Sequence, residues 1–154
     1  MTTVARPGAI TTPVTTTYWD AAADGRLLLQ RCEACGHVQH YPRTLCGECW
    51  SEDVAWVDAA GTGAVATLTV VHVPGHPAWA GEVPYVLALV QLDEGPRLLT
   101  NVVGTAPSAV LVGQRVRLVR PPATPPGNGP ALLQFTPDDS TLDDATPDTQ
   151  EARE

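Results

Sequence analysis

The segment from Cys32 to Cys49 reads Cys-Glu-Ala-Cys-Gly-His-Val-Gln-His-Tyr-Pro-Arg-Thr-Leu-Cys-Gly-Glu-Cys and holds all four cysteines of the chain. The cysteines form two Cys-x-x-Cys pairs, which are separated by residues 36–45. Each pair places two sulfur atoms on one side of a tight loop, and two facing loops build the tetrahedral thiolate cage that Zn2+ prefers. We therefore predict one structural zinc ion per chain, bound by Cys32, Cys35, Cys46 and Cys49.

Other chemistries remain open for the same segment. The metal can be iron in a rubredoxin-like cage, and the thiols can instead form disulfides or act as redox groups. His37 and His40 are further candidate ligands, although four thiolates already complete the coordination and leave no open position for substrate. We expect a β-hairpin from His37 to Tyr41, with a turn at Pro42, to connect the two cysteine pairs.

Upstream of the cysteines, the sequence predicts a short helix and then a strand. Residues from Thr16 to Ala23 begin with hydroxyl side chains that can cap a helix, and Gly25 follows as a helix stop. The run from Arg26 to Arg31 has the length of one strand and leads directly to Cys32. We predict a flexible arm over residues 1–15, followed by a helix and zinc ribbon over 16–55.

Downstream, the pattern changes to β-rich runs separated by Gly, Pro, Asp and Asn. Five such runs suit a small closed barrel of the OB-fold type over residues 56–137. One run, Tyr85 to Leu92, is apolar on both alternating faces, so one face can fill the barrel while the other needs cover from a second domain or a partner. The predicted strands are Val65–Val73, Tyr85–Leu92, Arg97–Val103, Gln114–Arg120 and Ala131–Phe135.

Composition narrows the class of protein. The 154 residues carry a formal charge of −8, and 15 prolines with 13 glycines argue against a helical bundle and for a mostly β fold. We predict that residues 138–154, which hold most of the negative charge, form a disordered acidic tail. The chain lacks an apolar run of about 20 residues and a signal-peptide core, which predicts a soluble cytoplasmic protein with no membrane binding.

Several motifs occur in the order and spacing of a known family. They are Gly25-x-Leu-x-x-Gln30-x-Cys32-x-x-Cys35-Gly36, Pro42-Arg43-x-x-Cys46-x-x-Cys49 and Leu92-Asp93-Glu94-Gly95-Pro96-Arg97. Together they resemble the acyl-CoA-associated OB-fold family with a rubredoxin-like zinc ribbon, long catalogued as domain of unknown function number thirty-five. The resemblance covers Tyr18 to Pro137. Gly47 and Tyr41 stand where the family often has proline, and neither departure removes a cysteine.

The resemblance implies a required but non-catalytic subunit. Members of this family accompany thiolase-fold proteins, among them acetoacetyl-CoA thiolases, acyltransferases and lipid-transfer-protein-like aldolases that shorten steroid side chains. We therefore expect a thiolase-like or lipid-transfer-protein-like partner that shares an acyl-CoA substrate with this chain. The aldolase, a lyase that cleaves a carbon–carbon bond of a steroid side-chain CoA thioester, is the favoured complex. A condensing or acyltransferase complex is the alternative.

Candidate site residues follow from this expectation. Arg97, Arg115 and Arg117 come from strands that could neighbour one another and are candidates for binding CoA phosphates through bidentate contacts. Trp79, in the long loop from Pro74 to Pro84, and Tyr85 are candidates for the partner interface, where buried aromatic side chains dominate binding energy. We assign no catalytic residue. His72 is the best lone acid or base candidate, and His76 is a weaker one.

Two other classes of function are alternatives to the subunit hypothesis. Zinc ribbons and OB-folds both occur in nucleic-acid-binding proteins, yet such a role needs aromatic platforms and a basic groove. The first three barrel strands offer only Tyr85 as an aromatic side chain, and the chain is acidic, so we expect no nucleic-acid partner. A free-standing hydrolase or acyl-CoA carrier is the remaining alternative.

Overall fold

One α-helix and eight β-strands lie within residues 10–119 and 132–138, the part of the chain that the computed structural model describes. The mostly β architecture is confirmed, and the helix has the predicted bounds. The predicted tail lies outside the described residues except for Asp138, as does the N-terminal arm up to residue 9. The elements are α1 (Thr16–Ala23), β1 (Leu28–Cys32), β2 (Val38–Gln39), β3 (Val54–Asp58), β4 (Thr62–Val71), β5 (Tyr85–Leu92), β6 (Arg97–Val102), β7 (Arg115–Val119), β8 (Gln134–Pro137), and two 3-10 helices, Pro77–Trp79 and Pro107–Ala109.

Helix α1 ends at a glycine, as predicted. Gly25 has φ +76°, its N–H donates to the carbonyl of Ala22, and the N–H of Arg26 donates to that of Ala21, which is the Schellman arrangement. The expected hydroxyl cap is absent at the other end. Thr15 makes no side-chain bond into the helix, and its hydroxyl instead accepts from the N–H of Thr12 at 2.9 Å. Burial of one face against β1 therefore contributes more to this short helix than its cap does.

The zinc ribbon rests on a three-stranded antiparallel sheet in the order β2-β1-β3. Strand β1 lies in the centre, with Gln30 opposite Gln39 on one side and opposite Trp56 on the other. Strand β3 therefore crosses residue 55, where the sequence places the division between ribbon and barrel. This pairing brings the chain back to the ribbon after the second cysteine pair and leads it from there into the barrel.

The remaining five strands close into a barrel in the order β4-β5-β6-β8-β7, with β7 pairing back onto β4. All pairs are antiparallel except β6 and β8, which run parallel with Val102 opposite Phe135. This is the order expected of the predicted OB-fold. The predicted bounds of β5 are exact, as is the start of β6, and the other strand ends differ by one to three residues. Strand β4 begins earlier, at Thr62, and β8 lies later, at Gln134–Pro137.

The two faces of β5 differ in burial. Val86, Ala88, Val90 and Leu92 point into the barrel and are at most 2% exposed, whereas the alternate residues are half-buried. On the outer face, Leu89 lies opposite Leu99, whose side chain is 53% exposed. The outer apolar face predicted from the sequence is therefore real and only partly covered. Within the described residues, no helix is long and apolar enough to cross a membrane.

Candidate metal centre

The four cysteines come together at one end of the ribbon sheet. Their sulfur atoms all lie within 4.8 Å of one another, with 3.6 Å between the Sγ atoms of Cys32 and Cys49 and 3.7 Å between those of Cys35 and Cys46. Four sulfurs at about 2.3 Å from a central ion in a tetrahedron are about 3.8 Å apart. The donor set therefore fits one Zn2+ ion. Cys32 and Cys46 are buried, while Cys35 and Cys49 are exposed.

The two cysteine loops share one backbone geometry. The N–H of Gly36 donates to the carbonyl of Cys32 at 2.9 Å, and the N–H of Trp50 donates to that of Cys46 at 3.1 Å. Both donors follow the second cysteine of a pair and have positive φ, 76° and 62° respectively. A tryptophan in this left-handed region is strained, and its side chain is 76% exposed. A hydrogen bond from the backbone N–H of Cys49 is the main cause that lowers the pKa of the Cys46 thiol, which favours the thiolate that a metal ion binds.

A pair of buried glutamines ties the loop between the cysteine pairs to the sheet. Gln39 donates through Nε2 to Gln30 Oε1 at 3.0 Å, while its own Oε1 accepts from the N–H of Gly47 at 2.9 Å. Gln30 in turn bonds both the N–H and the carbonyl of Arg43. These bonds hold the second cysteine loop in place over the first. The sequence alone does not single out Gln39, because its only signal is that of a polar residue on a short strand between the cysteines.

Neither candidate histidine belongs to the cluster. Among the described residues, the one group of side chains close enough to share a metal ion consists of the four cysteines. The ring of His40 packs instead against Tyr18 and Tyr41, with centroid distances of 5.4 and 4.3 Å. Burial lowers the pKa of His40 to about 4, so the ring is neutral at ordinary pH.

The candidate arginines lie on the outer face of the barrel, with Arg97 on β6 and with Arg115 and Arg117 on β7. Ala64 on β4 lies opposite Arg115 on one side and opposite Gln91 on the other. Gln91 in turn lies opposite Arg97. Arg115 and Arg97 are therefore three strand spacings apart along the sheet, about 14 Å. Arg115 already forms a bidentate ion pair with Asp93, with both N to O distances 2.7 Å. Arg97 donates to Gln91 at 2.8 Å. The exposed Arg117, opposite Thr62, has no such partner within the described residues, and the phosphate-binding role stays a prediction.

The candidate interface residues lie at one end of β5. Trp79 is part-buried in the 3-10 helix Pro77–Trp79, and its ring stands edge-on to that of His76 at 5.7 Å. His76 Nδ1 accepts from the N–H of Ala78 at 3.1 Å, which caps this helix. Tyr85 begins β5 opposite Val71, one residue before the exposed His72. His76 therefore has a structural role in this loop. The interface role of Trp79 and Tyr85 stays a prediction.

Comparison with known proteins gives a match for the ribbon and another for the barrel. A family model described as the ChsH2 rubredoxin-like zinc ribbon domain matches residues 19–55, and one described as the ChsH2 C-terminal OB-fold domain matches residues 56–120. Together with the sulfur geometry, the first match shows a zinc ribbon with a place for one structural zinc.

Three curated relatives show how the match is distributed. The probable enoyl-CoA hydratase alpha subunit of Thermomonospora curvata is 48% identical over 101 residues, 66% of this chain and 31% of that protein. The 3-oxo-4,17-pregnadiene-20-carboxyl-CoA hydratase alpha subunit of Mycobacterium tuberculosis is 35% identical over 100 residues, again 31% of that protein. A DUF35 domain-containing scaffold protein of Pyrococcus furiosus is 35% identical over 94 residues, 61% of this chain and 68% of that protein. The chain thus spans about a third of the two hydratase subunits.

Among solved structures, a chain of the "Ltp2-ChsH2(DUF35) aldolase" is 42% identical, with a TM-score of 0.73. The alignment covers 86% of this chain and 98% of that one, so it includes ribbon and barrel together. The resemblance inferred from the cysteine and Asp-Glu-Gly-Pro motifs is confirmed. The chain belongs to the DUF35 family and carries the zinc ribbon and OB-fold domains described for ChsH2.

Proposed function

We propose that this chain is the accessory subunit of a thiolase-fold aldolase that cleaves a carbon–carbon bond in the side chain of a steroid CoA thioester. The observation that carries the proposal is the match to the aldolase structure, which extends over 98% of that chain at 42% identity. The pregnadiene carboxyl-CoA name of one relative supports a steroid acyl-CoA substrate. The DUF35 scaffold name of others supports a helper role.

The residues themselves favour assistance over catalysis. The four thiols, which would be the strongest nucleophiles of the chain, are gathered in the metal cage. His72 is exposed at the end of a strand, and His76 caps a 3-10 helix. Carbon–carbon cleavage beside a thioester needs a positioned base and an oxyanion hole, and in this proposal the thiolase-fold partner supplies both.

The outer face of β5 and β6 is the proposed partner surface. Leu89 and Leu99 lie opposite each other there, and Leu99 remains 53% exposed. Tyr85 lies on the same face of β5 as Leu89, and Trp79 lies in the loop that leads into this strand. Covering such a face removes apolar area from water and fixes the position of the partner's channel walls, where a displacement of about 1 Å can change a rate by about a hundredfold.

Reconstitution tests the proposal. The chain is co-expressed with a thiolase-like protein from the same genome, purified by size exclusion and assayed for cleavage of a steroid side-chain CoA thioester. We expect cleavage by the complex and none by the isolated chain. Turnover by the isolated chain at the rate of the mixture would contradict the helper role, and His72 would then be the first residue to replace.

Two variants with a matched control locate the partner surface. Leu99→Asp places a charge on the outer face of β6, and Leu111→Asp makes the same change at a side chain that is 65% exposed on a loop elsewhere. We expect Leu99→Asp and Trp79→Ala to weaken assembly while Leu111→Asp leaves it unchanged. Equal effects of the two aspartates would exclude this face as the contact surface.

A hydratase complex is the second candidate, and one observation favours it. Two relatives are named as alpha subunits of enoyl-CoA hydratases, and this chain matches a third of each. The same co-purified complex can be supplied with the unsaturated acyl-CoA and, separately, with the corresponding hydroxyacyl-CoA, because cleavage by an aldolase requires the hydroxyl group. Formation of a hydroxyacyl-CoA without chain shortening would identify a hydratase, whereas release of a shortened chain would identify an aldolase.

A further inference from the structure

Trp50, which directly follows the last cysteine, is the most exposed large apolar side chain of the ribbon, at 76%. Among the described residues, its ring pairs with no other aromatic ring. Its backbone has φ +62°, where glycine fits and tryptophan is strained, and the first cysteine loop has Gly36 at the equivalent place. Neither the loop geometry nor packing within the described residues therefore accounts for a tryptophan here.

The backbone on both sides of Trp50 is fixed by hydrogen bonds. The N–H of Trp50 donates to the carbonyl of Cys46 at 3.1 Å, and the N–H of Cys46 donates to the carbonyl of Ser51 at 2.9 Å. The hydroxyl of Ser51 then accepts from the N–H of Asp53 at 3.1 Å. A side chain on a rigid loop loses little conformational entropy when a partner covers it. Trp50 is therefore placed as an anchor for another molecule.

The surroundings of Trp50 are negatively charged. Four exposed carboxylates belong to the two cysteine loops and the residues just after them, Glu33, Glu48, Glu52 and Asp53. The N–H of Glu33 donates to the carbonyl of Asp53 at 2.8 Å, which joins the two loops. Within the described residues, none of the four carboxylates forms an ion pair. Arg31 and Arg43 are the basic side chains of residues 31–53, and the four thiolates outweigh one Zn2+, so this end of the ribbon is acidic.

We propose that Trp50 and the carboxylates beside it bind an arginine on a basic segment of a partner protein. A planar guanidinium can stack on the face of an indole ring while its N–H groups donate to a carboxylate. Charge complementarity selects this occupant, because nucleic acids and anionic lipids would be repelled. An uncharged apolar segment would cover the carboxylates without pairing them. Lysine has the charge of arginine and lacks its planar fork.

Short peptides titrated into the full zinc-loaded chain test this proposal. The probes are Gly-Arg-Gly-Arg-Gly and the same peptide with lysine or with glutamate in place of arginine. The signal is the indole proton–nitrogen NMR resonance of Trp50, which reports on this site directly. We expect a saturable shift with the arginine peptide, binding about threefold weaker with the lysine peptide, and none with the glutamate peptide. The affinity for arginine should fall as the salt concentration rises.

Three variants locate the binding, with backbone resonances of the second cysteine loop as the signal. Trp50→Gly relieves the strain at φ +62°, so it should keep one zinc ion per chain while weakening the arginine peptide about threefold. The double change Glu48→Gln with Glu52→Gln should weaken it by a similar factor. Asp20→Asn is the matched control, because it removes one exposed carboxylate on α1, and it should leave the affinity unchanged.

Several results would overturn the proposal. They are the absence of a saturable shift with the arginine peptide, equal affinity for arginine and lysine peptides, and an arginine preference that survives Trp50→Gly. The last result would place the binding at other carboxylates, such as those of residues 138–154. Self-association of the chain that is lost in Trp50→Gly would assign a second copy as the occupant instead. These measurements need no aldolase partner, so failure of the proposed function is a separate outcome.

Discussion

Replacing His40 by phenylalanine should remove a pH-dependent loss of stability. Burial lowers the pKa of His40 from 6.5 to about 4, because the charged imidazolium is poorly solvated beside the rings of Tyr18 and Tyr41. The unfolded chain therefore binds a proton at a higher pH than the folded chain does. The folded state is favoured fully above pH 6.5, and this advantage declines as the pH falls toward 4.

The magnitude follows from the two pKa values. The whole shift corresponds to about 3 kcal/mol, since one pKa unit is about 1.4 kcal/mol. At about pH 5.5 the unfolded imidazole is mostly charged and the folded one mostly neutral, which gives a loss of about 1 kcal/mol relative to about pH 8. Glu94 and Arg97 line a groove on another side of His40 and are present in both proteins.

Urea unfolding of the zinc-loaded proteins at about pH 8 and about pH 5.5 measures this difference. Acid also weakens the zinc site, but to the same extent in both proteins, so the quantity of interest is the wild-type loss minus the His40→Phe loss. We expect it to be about 1 kcal/mol. His72→Phe should give a difference near zero because that side chain is exposed. A His40→Phe protein that loses as much stability as the wild type between the two pH values would refute the argument.

Three further changes test the ribbon and the barrel. Cys32→Ser should lower bound zinc well below one ion per chain and unfold the ribbon, because zinc supplies about 10 kcal/mol or more of folding free energy; metal analysis and circular dichroism measure this, and a fully loaded, folded variant would contradict the cage. Gln39→Leu removes the acceptor for the N–H of Gly47 and should weaken zinc binding about tenfold in a chelator competition, whereas unchanged affinity would mean that this bond does not position the cage. Gly63→Ala should destabilise the barrel by about 1–3 kcal/mol, since a Cβ there would meet the Gln91 carbonyl and lie 2.9 Å from Val90 Cγ1. Gly75→Ala is its control, because no atom lies within 4 Å of the added Cβ, and equal melting temperatures of the two variants would contradict the close contact.

Local pattern explains why much of the fold was predictable. The bounds of α1 follow from a glycine that the backbone needs at φ +76°, and the cage follows from two cysteine pairs with fixed spacing. Pairing partners are different, because they depend on residues far apart in sequence. Trp56 has the pattern of a barrel strand, yet it pairs with Gln30 in the ribbon sheet. No feature within β3 itself indicates that choice.

The buried polar residues were the hardest to predict. Gln39 and His40 are adjacent in a short segment, and both residue types are commonly exposed. Their burial results from the way the metal cage folds the loop back onto β1 and places α1 beside it. The two residues then differ, since among the residues that the structure describes Gln39 finds hydrogen-bond partners and His40 does not. That difference is a property of the assembled structure and has no counterpart in the sequence.

In the proposed complex, stability and assembly depend on separate parts of this molecule. The zinc cage and the bonds of Gln30 and Gln39 hold the ribbon from within, and the inward residues of β5 fill the barrel. The outer face around Leu99 contributes little to either, because its side chain already lies half in water. An aspartate at Leu99 should therefore change partner binding with a shift in unfolding free energy of no more than about 0.5 kcal/mol. A variant that lost both together would show that the outer face belongs to the fold itself.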